Sequence, residues 1–248
     1  MSGHSKWHSI KHQKAKEDKK KGQVFSRLVR EITVSARQGG GDPAMNARLR
    51  LAVEKASEAN MPKDNIEKAI KRGTGELPGV SYVEVTYEGY GPGGVAIMVN
   101  AATDNKNRTA SQMRRIFSDH GGNLGETGCV SWMFQKKGYI SVGKEKIPEE
   151  ELLEKVIDLD IEDLKTDEKN YYEILSEPEK FSQVSRGISE FVEADTAEIT
   201  MIPSTFIKLS GREAKDMLRL MESLEENDDV QQVFANFDIS SEDMEEVQ

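Results

Sequence analysis

Cysteine is almost absent from this sequence, which contains one thiol, Cys129, and no C-x-x-C pair. A single cysteine cannot close an internal disulfide or complete a thiolate zinc site, so both of these protein classes are excluded. No apolar run approaches the ~20 residues that a bilayer-spanning helix needs. The N-terminal stretch also lacks the apolar core of a signal peptide. We therefore expect a cytoplasmic protein that does not enter a membrane.

Motifs of nucleotide and acyl chemistry are also missing. The sequence has no G-x-x-x-x-G-K-[ST] phosphate loop and no G-x-S-x-G elbow. Gly89, Gly91 and Gly94 satisfy G-x-G-x-x-G literally, but Pro92 lies inside the motif and a strand follows it, where a dinucleotide-binding loop would open a helix. These glycines are predicted to form a hairpin turn. The sequence thus predicts no enzymatic activity, no cofactor and no small-molecule substrate.

The four histidines and the cysteine do not suggest a metal site. His4, His8 and His12 are spaced by four residues and would share one helix face, but they stand among repelling lysines without a nearby cysteine or structural carboxylate. We predict contacts with phosphates or bases for this segment, and no metal. His120 ends a predicted helix, which favours a capping role. Cys129 is predicted to be a small core residue in a strand.

Positive charge is concentrated at one end of a chain that is acidic overall. The net charge is -10, yet residues 1–72 contain eleven Lys and six Arg against eight acids, a net charge of +9 that leaves -19 for the remaining 176 residues. Such asymmetry is typical of a nucleic-acid-binding module joined to an acidic remainder. A basic face that only interacts with solvent is the alternative. Nine cations against two acids in residues 1–30 favour binding.

The N-terminal part of the chain is predicted to be a basic arm followed by three helices. Residues 1–23 are too polar to form a packed helix alone and are predicted to be the arm. An apolar pattern of helical spacing begins at Val24. A second helix is predicted to follow Asp42 as its N-cap and to bury Met45, and a third to end at Gly73 as its C-cap.

From Ser81 the apolar period changes to two, which indicates strands. Two strands around the glycine-rich turn, a helix over 106–120 and a strand over 129–134 give a ββαβ order. Residues 138–202 follow a βαββαβ order, the ferredoxin-like arrangement. The last strand, helix and strand cannot form a domain alone, so we predict that they complete the ββαβ sheet. The predicted fold is α+β and multi-domain, with a basic arm and three-helix domain (1–78), a middle α/β domain with a discontinuous sheet (79–134 and 204–238), an inserted ferredoxin-like domain (135–203) and an acidic tail (239–248).

The predicted nucleic-acid interface combines the arm, the start of the first helix and a second basic cluster on the helix after the hairpin. Lysines that neutralise phosphates release counterions, and Trp7 could stack on an unpaired base. The alternatives are that Trp7 docks against the helices and that the second cluster only interacts with solvent. The predicted binding residues are Lys6, Trp7, His8, Lys11, His12, Lys14, Lys16, Lys19, Lys20, Lys21, Arg27, Arg30, Lys106, Arg108, Arg114 and Arg115.

Four segments of the sequence resemble the YebC/PmpR family: Gly3–Ile32, Ala56–Gly73, the YEGYGPGG run of Tyr87–Gly94 and the DNKNRT run of Asp104–Thr109. The resemblance extends over essentially the whole chain, and the first and third segments are its most specific parts. It implies a helical N-terminal domain and two α/β domains, in agreement with the periodicity. It also implies a DNA-binding transcriptional regulator without established catalytic residues, although mitochondrial and some bacterial members resemble translation factors that work at the ribosome.

Two nucleic-acid functions therefore stay open. A DNA-binding transcriptional regulator is the function that the resemblance favours, and a ribosome- or RNA-associated translation factor is the alternative. The sequence shows no clear recognition helix with Arg, Asn or Gln spaced to reach base edges. A lysine-rich arm suits the irregular phosphate surface of RNA. The expected partner is nucleic acid, either DNA or RNA in the ribosome.

Overall fold

The structure is a computed structural model that describes residues 17–240, with the side chains of residues 22–240. Its first helix, α1 (Glu17–Gly39), begins at Glu17, within the segment that the sequence predicts to be an arm, rather than at Val24. The difference arises because lysine and glutamate have high intrinsic helix propensity, so a helix can extend beyond its apolar face.

The second helix, α2 (Ala47–Glu58), is capped by Asn46 and not by Asp42 as predicted. The backbone N–H of Leu49 donates to Asn46 Oδ1 at 3.0 Å, and Asn46 Nδ2 donates to the Ser35 carbonyl at 2.8 Å. Because Asn46 is tied to α1 in this way, the helix starts after it. Met45 consequently lies before the helix and is 84% exposed, so the prediction that it is buried is wrong.

The third helix, α3 (Lys63–Thr74), ends at Gly75, which has a left-handed φ of 84°, so the prediction of Gly73 as C-cap is wrong. Gly73 lies inside the helix, where the backbone packs closely against α1. A Cβ atom at this position would lie 2.5 Å from the Thr33 carbonyl oxygen and 2.7 Å from Ala36 Cβ. The three helices share a core of Ile32, Ala36, Leu49, Ala52, Ala56, Met61, Ile66 and Ala69.

Arg48 of α2 joins the helices to the first strand of the chain, β1 (Val83–Tyr90). Its Nε lies 2.7 Å from Glu31 Oε1 of α1, and its Nη2 lies 2.6 Å from Glu84 Oε1 of β1. Both carboxylates and the guanidinium are partly exposed, so the contacts mainly fix orientation. The helical region is thereby attached to the sheet that follows it.

A β-hairpin forms where the sequence predicts it. β1 pairs antiparallel with β2 (Ala96–Thr103), and the connecting turn contains a short 3-10 segment, Pro92–Gly94. The Gly91 N–H donates to the Val95 carbonyl at 2.8 Å, and Gly93 adopts a φ of 67° that favours glycine. The turn opens no helix, so the glycine motif is a hairpin turn as predicted.

The middle sheet is completed by a strand from the far end of the chain. Two further strands, β3 (Asn123–Leu124) and β9 (Val230–Ala235), give it the order β3-β1-β2-β9. Helices α4 (Lys106–Asp119) and α7 (Gly211–Glu226) supply Met113, Phe117, Met217 and Leu220 to its core, among other residues. The predicted discontinuous sheet is confirmed, because β9 pairs with β2 across more than a hundred residues of sequence.

The strand predicted over 129–134 does not form. Residues Ser131–Met133 are a 3-10 turn, and the next strand, β4 (Phe134–Gly143), begins at Phe134. The backbone N–H groups of Val130 and Ser131 donate to the Glu88 carboxylate, so they are not available to a neighbouring strand. Cys129 therefore lies in a loop and is half-buried, not in a strand core as predicted.

The last strand that the sequence predicts is divided in two. β9 ends at Ala235, and β10 (Phe237–Ile239) pairs in parallel with β8 (Ile207–Leu209). Asn236 produces the break because its Oδ1 accepts the Ala96 N–H at 2.7 Å. Since Ile239 is completely buried, the acidic tail predicted to start at 239 overlaps β10.

Residues 132–205 form a compact unit of their own, and the other described residues form a second compact unit. The elements of the first unit after β4 are α5 (Glu149–Val156), β5 (Asp163–Lys165), β6 (Tyr171–Ser176), α6 (Phe181–Ser189) and β7 (Thr196–Pro203). They give a βαββαβ order, with the sheet order β5-β6-β4-β7 and all pairs antiparallel. This is the predicted ferredoxin-like arrangement, so the α+β multi-domain fold class is confirmed; the domain boundaries stay a prediction.

Candidate nucleic-acid interface

The predicted binding residues divide into those that the structure describes and those that it does not. Lys19, Lys20 and Lys21 lie in α1, before the first described side chain. Arg27 and Arg30 follow on the same helix, and the second predicted cluster lies on α4. The predicted binding residues that lie outside the described residues are Lys6, Trp7, His8, Lys11, His12, Lys14 and Lys16.

Asp229 brings the two predicted basic clusters together. This residue precedes β9, and its side chain is 4% exposed. Arg30 Nη2 of α1 lies 3.3 Å from Asp229 Oδ1, and Arg108 Nη2 of α4 lies 2.8 Å from Asp229 Oδ2. Thr109 Oγ1 donates to the same Oδ2 at 2.7 Å. One buried carboxylate therefore fixes a cation from each cluster.

The DNKNRT run is the local structure that delivers Arg108 to this carboxylate. Asn105 caps α4, since its Oδ1 accepts the Arg108 N–H at 3.1 Å. Asp104 Oδ1 lies 2.7 Å from Arg108 Nη2 and so holds the side chain from the other direction. Thr103 Oγ1 accepts the Asn105 N–H at 2.9 Å and fixes the approach to the helix. The motif thus orients an arginine at the start of α4.

The charge state of Asp229 is set by these partners. Burial alone would raise the pKa of Asp229, but the hydrogen bonds from Arg108 and Thr109 and the charge of Arg30 together lower it below its ordinary value. Asp229 is consequently a carboxylate at neutral pH. Arg108 keeps 43% of its side chain exposed, so it combines an internal ion pair with a solvent-facing surface.

The side chain of Arg30 is more deeply buried than that of Arg108. Its side chain is 14% exposed, its Nη1 donates to the Asp228 carbonyl, and its guanidinium lies 5.4 Å from the centre of the Tyr82 ring. Arg27, one helical turn earlier, is half-buried, and burial lowers its pKa against the opposing charges of Glu225 and Asp228. Both arginines face the end of α7 and the loop after it, where Arg27 is near Glu225 and Asp228 and Arg30 forms an ion pair with Asp229.

The exposed cations of α4 lie away from its buried face. Thr109, Met113 and Phe117 point into the core, whereas Lys106 and Arg114 are exposed. Arg115 is also exposed and makes a weak i,i+4 contact of 3.4 Å with Asp119. The surface of α4 therefore presents three cations in addition to the partly exposed Arg108.

A third basic surface lies on α3, where the sequence interpretation assigned no binding residue. Lys68, Lys71 and Arg72 are all exposed and are spaced at i, i+3 and i+4, so they share the face opposite the buried Ile66 and Ala69. The signal was present in the KAIKRG run of the second resembling segment. It was hidden by the acids Asp64 and Glu67 of the same helix, which reduce its net charge.

The remaining candidates have structural roles or fall outside the described residues. His120 caps α4 as predicted, with Nδ1 at 2.9 Å from the Ile116 carbonyl and Nε2 at 3.1 Å from Ser223 Oγ. Within residues 17–240, no three histidine, cysteine or carboxylate side chains converge as a metal site. The histidines at 4, 8 and 12 precede this range. In the same range, no helix has both the length and the apolar character needed to cross a bilayer.

Known proteins resemble this chain along its whole length. Residues 5–76 match the model of the TACO1/YebC protein N-terminal domain, and residues 82–237 match that of the TACO1/YebC second and third domain. A protein of Persephonella marina named "Probable transcriptional regulatory protein" is 55% identical over an alignment of 249 residues that covers 100% of each chain. A protein of the same name from Natranaerobius thermophilus is 56% identical and covered to 99%.

A solved structure agrees with the fold as well as with the sequence. The crystal structure of a conserved hypothetical protein from Aquifex aeolicus superposes with a TM-score of 0.78 at 48% identity, covering 90% of this chain and 93% of that chain. The matches include both the basic N-terminal region and the discontinuous α/β part. On these grounds the chain belongs to the TACO1/YebC family.

Proposed function

We propose that this protein is a nucleic-acid-binding regulator of gene expression, which acts as a DNA-binding transcriptional regulator in the cytoplasm and has no catalytic activity. The observation that carries the proposal is the charge asymmetry, with +9 in residues 1–72 and -19 in the remainder. A polyanion is attracted to the first region and repelled by most of the remainder, in which the exposed cations of α4 are a local exception. The relatives from Persephonella marina and Natranaerobius thermophilus bear names of transcriptional regulators, which supports the same function.

The geometry around Asp229 supports this function because it connects two basic helices, α1 and α4, through one carboxylate. α1 carries Lys19, Lys20 and Lys21 at its start, and α4 presents further cations on its surface. Since Asp229 binds Arg30 and Arg108, the middle of α1 and the start of α4 keep their places during binding. We assign Arg30 to this anchoring role. The lysines of the arm and α1, with the exposed cations of α4, are the proposed phosphate contacts.

Replacement of Lys19, Lys20 and Lys21 by alanine tests the proposal. Alanine has a higher helix propensity than lysine, so α1 should persist while three charges disappear. Removal of a single lysine–phosphate ion pair should reduce the slope of log K against log salt concentration by about 0.9 for duplex DNA and about 0.7 for single strands. We expect weaker binding and a flatter slope, measured by fluorescence anisotropy of a labelled oligonucleotide at several salt concentrations.

Lys155, Lys169 and Lys208, replaced together by alanine, are the matched control. These three lysines are exposed and lie outside the arm, α1 and α4, so their loss should leave the salt slope unchanged. Equal slopes for the wild type and the α1 variant would overturn the proposed phosphate contacts. Duplex DNA and RNA should be compared in parallel, since a consistent preference for RNA would support the translation-factor alternative.

A further inference from the structure

Trp132 exposes 74% of its surface, whereas the other aromatic side chains within residues 22–240 are buried or half-buried. It lies in the 3-10 turn Ser131–Met133, directly before β4. Tryptophan is on average one of the most buried residue types because its ring is large and apolar. An indole that is this exposed in an otherwise packed chain indicates a binding surface.

The loop that leads to Trp132 is held in one conformation by Glu88. This glutamate is 3% exposed, and its carboxylate accepts three backbone N–H groups, from Gly128 at 2.8 Å, Val130 at 2.8 Å and Ser131 at 2.7 Å. A buried carboxylate with three charge-assisted hydrogen bonds is a strong and directional anchor. The last of these bonds ends at the residue immediately before Trp132.

Two further contacts fix the same loop. The Glu88 carbonyl accepts the Gly125 N–H at 2.8 Å, and the Tyr90 hydroxyl donates to the Cys129 carbonyl at 3.1 Å. The loop is thus attached to β1 at its beginning, middle and end. Such a loop presents the residue after it at a defined position, which reduces the conformational entropy cost of binding a ligand.

The exposed residues on either side of Trp132 in the chain favour a base over a protein as its ligand. A protein-binding hot spot is normally surrounded by further apolar side chains that exclude water. The exposed residues nearest to Trp132 in the chain are instead polar or lack a side chain. A base needs only one aromatic face for stacking, while its sugar and phosphate stay in solvent. These neighbours are Glu126, Thr127, Gly128, Gln135 and Lys136.

We propose that Trp132 is a stacking site for an unpaired base of a single-stranded nucleic acid and that Glu88 is the residue that positions it. The proposal deepens the proposed function and depends on it, because the arm and α1 supply the phosphate contacts and Trp132 supplies the base contact. The base can come from RNA or from locally unpaired DNA. Its recognition by Trp132 requires the absence of a pairing strand.

Trp132 fluorescence gives a direct test. The chain contains two tryptophans, so a Trp7→Phe background leaves Trp132 as the only reporter. Titration with oligouridylate, oligodeoxyuridylate and duplex DNA should quench Trp132 with the two single strands and not with the duplex. Equal quenching by the two single strands indicates base stacking alone, and stronger quenching by oligouridylate identifies RNA as the source. An abasic oligonucleotide should bind through its phosphates without quenching.

Affinity in the same background separates stacking from other effects of the ring. Trp132→Ala should weaken binding of the single strands by about 5- to 150-fold, and Trp132→Phe by less, because a smaller aromatic face remains. Ile157→Ala is the matched control, since Ile157 is 79% exposed in the same compact unit. It should leave affinity unchanged.

The outcomes distinguish this proposal from the proposed function. Binding without quenching, with an unchanged affinity for Trp132→Ala, would overturn the stacking site and leave nucleic-acid binding in place. The absence of any salt-dependent binding would overturn both. Glu88→Gln and the milder Tyr90→Phe should lower the fluorescence anisotropy of Trp132 in the protein without nucleic acid and reduce quenching at saturation, while the salt slope stays unchanged. Wild-type anisotropy and quenching in both folded variants would refute the positioning role.

Discussion

Asp229 shows how one side chain can determine the placement of cations that are far apart in the sequence. Its partner Arg108 is 121 residues away, and Arg30 lies on the N-terminal helix. Because these interactions lower the pKa of Asp229 relative to the unfolded chain, they contribute stability above the unfolded pKa of about 4. That contribution disappears as the pH falls through the folded pKa, when the carboxylate becomes protonated.

Asp229→Asn should therefore reduce the free energy of unfolding by about 2–3 kcal/mol at neutral pH, less than for a fully buried pair because Arg108 is partly exposed. The reason is that Arg30 and Arg108 lose their shared counter-charge. Urea unfolding at pH 7 and at pH 3 measures the effect. The free energies of unfolding of variant and wild type should be closer at pH 3, because the Asp229 carboxylate loses its charge as the pH falls. Asp119→Asn, which removes an exposed partner of Arg115, should cost less than about 1 kcal/mol. Equal losses for the two variants would contradict the anchoring role.

At the scale of elements, apolar periodicity predicts those helices and strands whose length follows from a buried face. The helix predicted over 106–120 is observed as α4, Lys106–Asp119, within one residue of its predicted end. The errors occur where a polar side chain sets the boundary, as Asn46 does for α2 and Glu88 does for the loop before β4. Such hydrogen bonds join distant residues and leave no periodic signal.

The candidate interface was predictable to a similar degree. Charge concentration along the sequence identifies the arm and the α4 cluster, because charge is visible without a fold. It does not predict that Arg30 and Arg108 meet at Asp229, since this contact depends on the pairing of β9 with β2. It also missed the basic face of α3, where the acids at 64 and 67 lie next to the cations.

Two glycines in helices should respond to alanine in opposite ways. A Cβ at Gly73 would lie 2.5 Å from the Thr33 carbonyl oxygen of α1, whereas nothing lies within 4 Å of a Cβ at Gly22. Gly73→Ala should therefore lower the free energy of unfolding by about 1–3 kcal/mol through overpacking. Gly22→Ala should raise it by about 0.5–1 kcal/mol, because alanine is the better helix former. Urea denaturation followed by circular dichroism measures both changes, and stabilisation by Gly73→Ala would show that α1 and α3 are not in close contact.

At the scale of the whole molecule, the ferredoxin-like unit begins and ends at neighbouring points. The Ser204 N–H donates to the Met133 carbonyl at 2.8 Å, and Phe134 pairs with Pro203 where β4 and β7 meet. A segment whose ends lie side by side can be inserted into another domain without separating the strands of its host. The host sheet keeps β9 beside β2 although the chain leaves it between them.

This arrangement predicts that both parts fold when they are separated. Residues 132–205 should unfold cooperatively as an isolated fragment, because the four strands and two helices enclose a core of their own. The complementary chain, in which a short glycine–serine linker joins Met133 to Ser204, should also unfold cooperatively, since the linker spans only the distance of one hydrogen bond. It should retain the salt-dependent binding that we assign to the arm and α1. A fragment of residues 132–195, which lacks β7 and exposes the edge of β4, is the negative control and should not fold. Circular dichroism and amide NMR spectra measure folding, and anisotropy titrations measure binding. A disordered 132–205 fragment would refute the inserted domain. Loss of binding in a folded linker variant would assign part of the nucleic-acid interface to the unit that was removed.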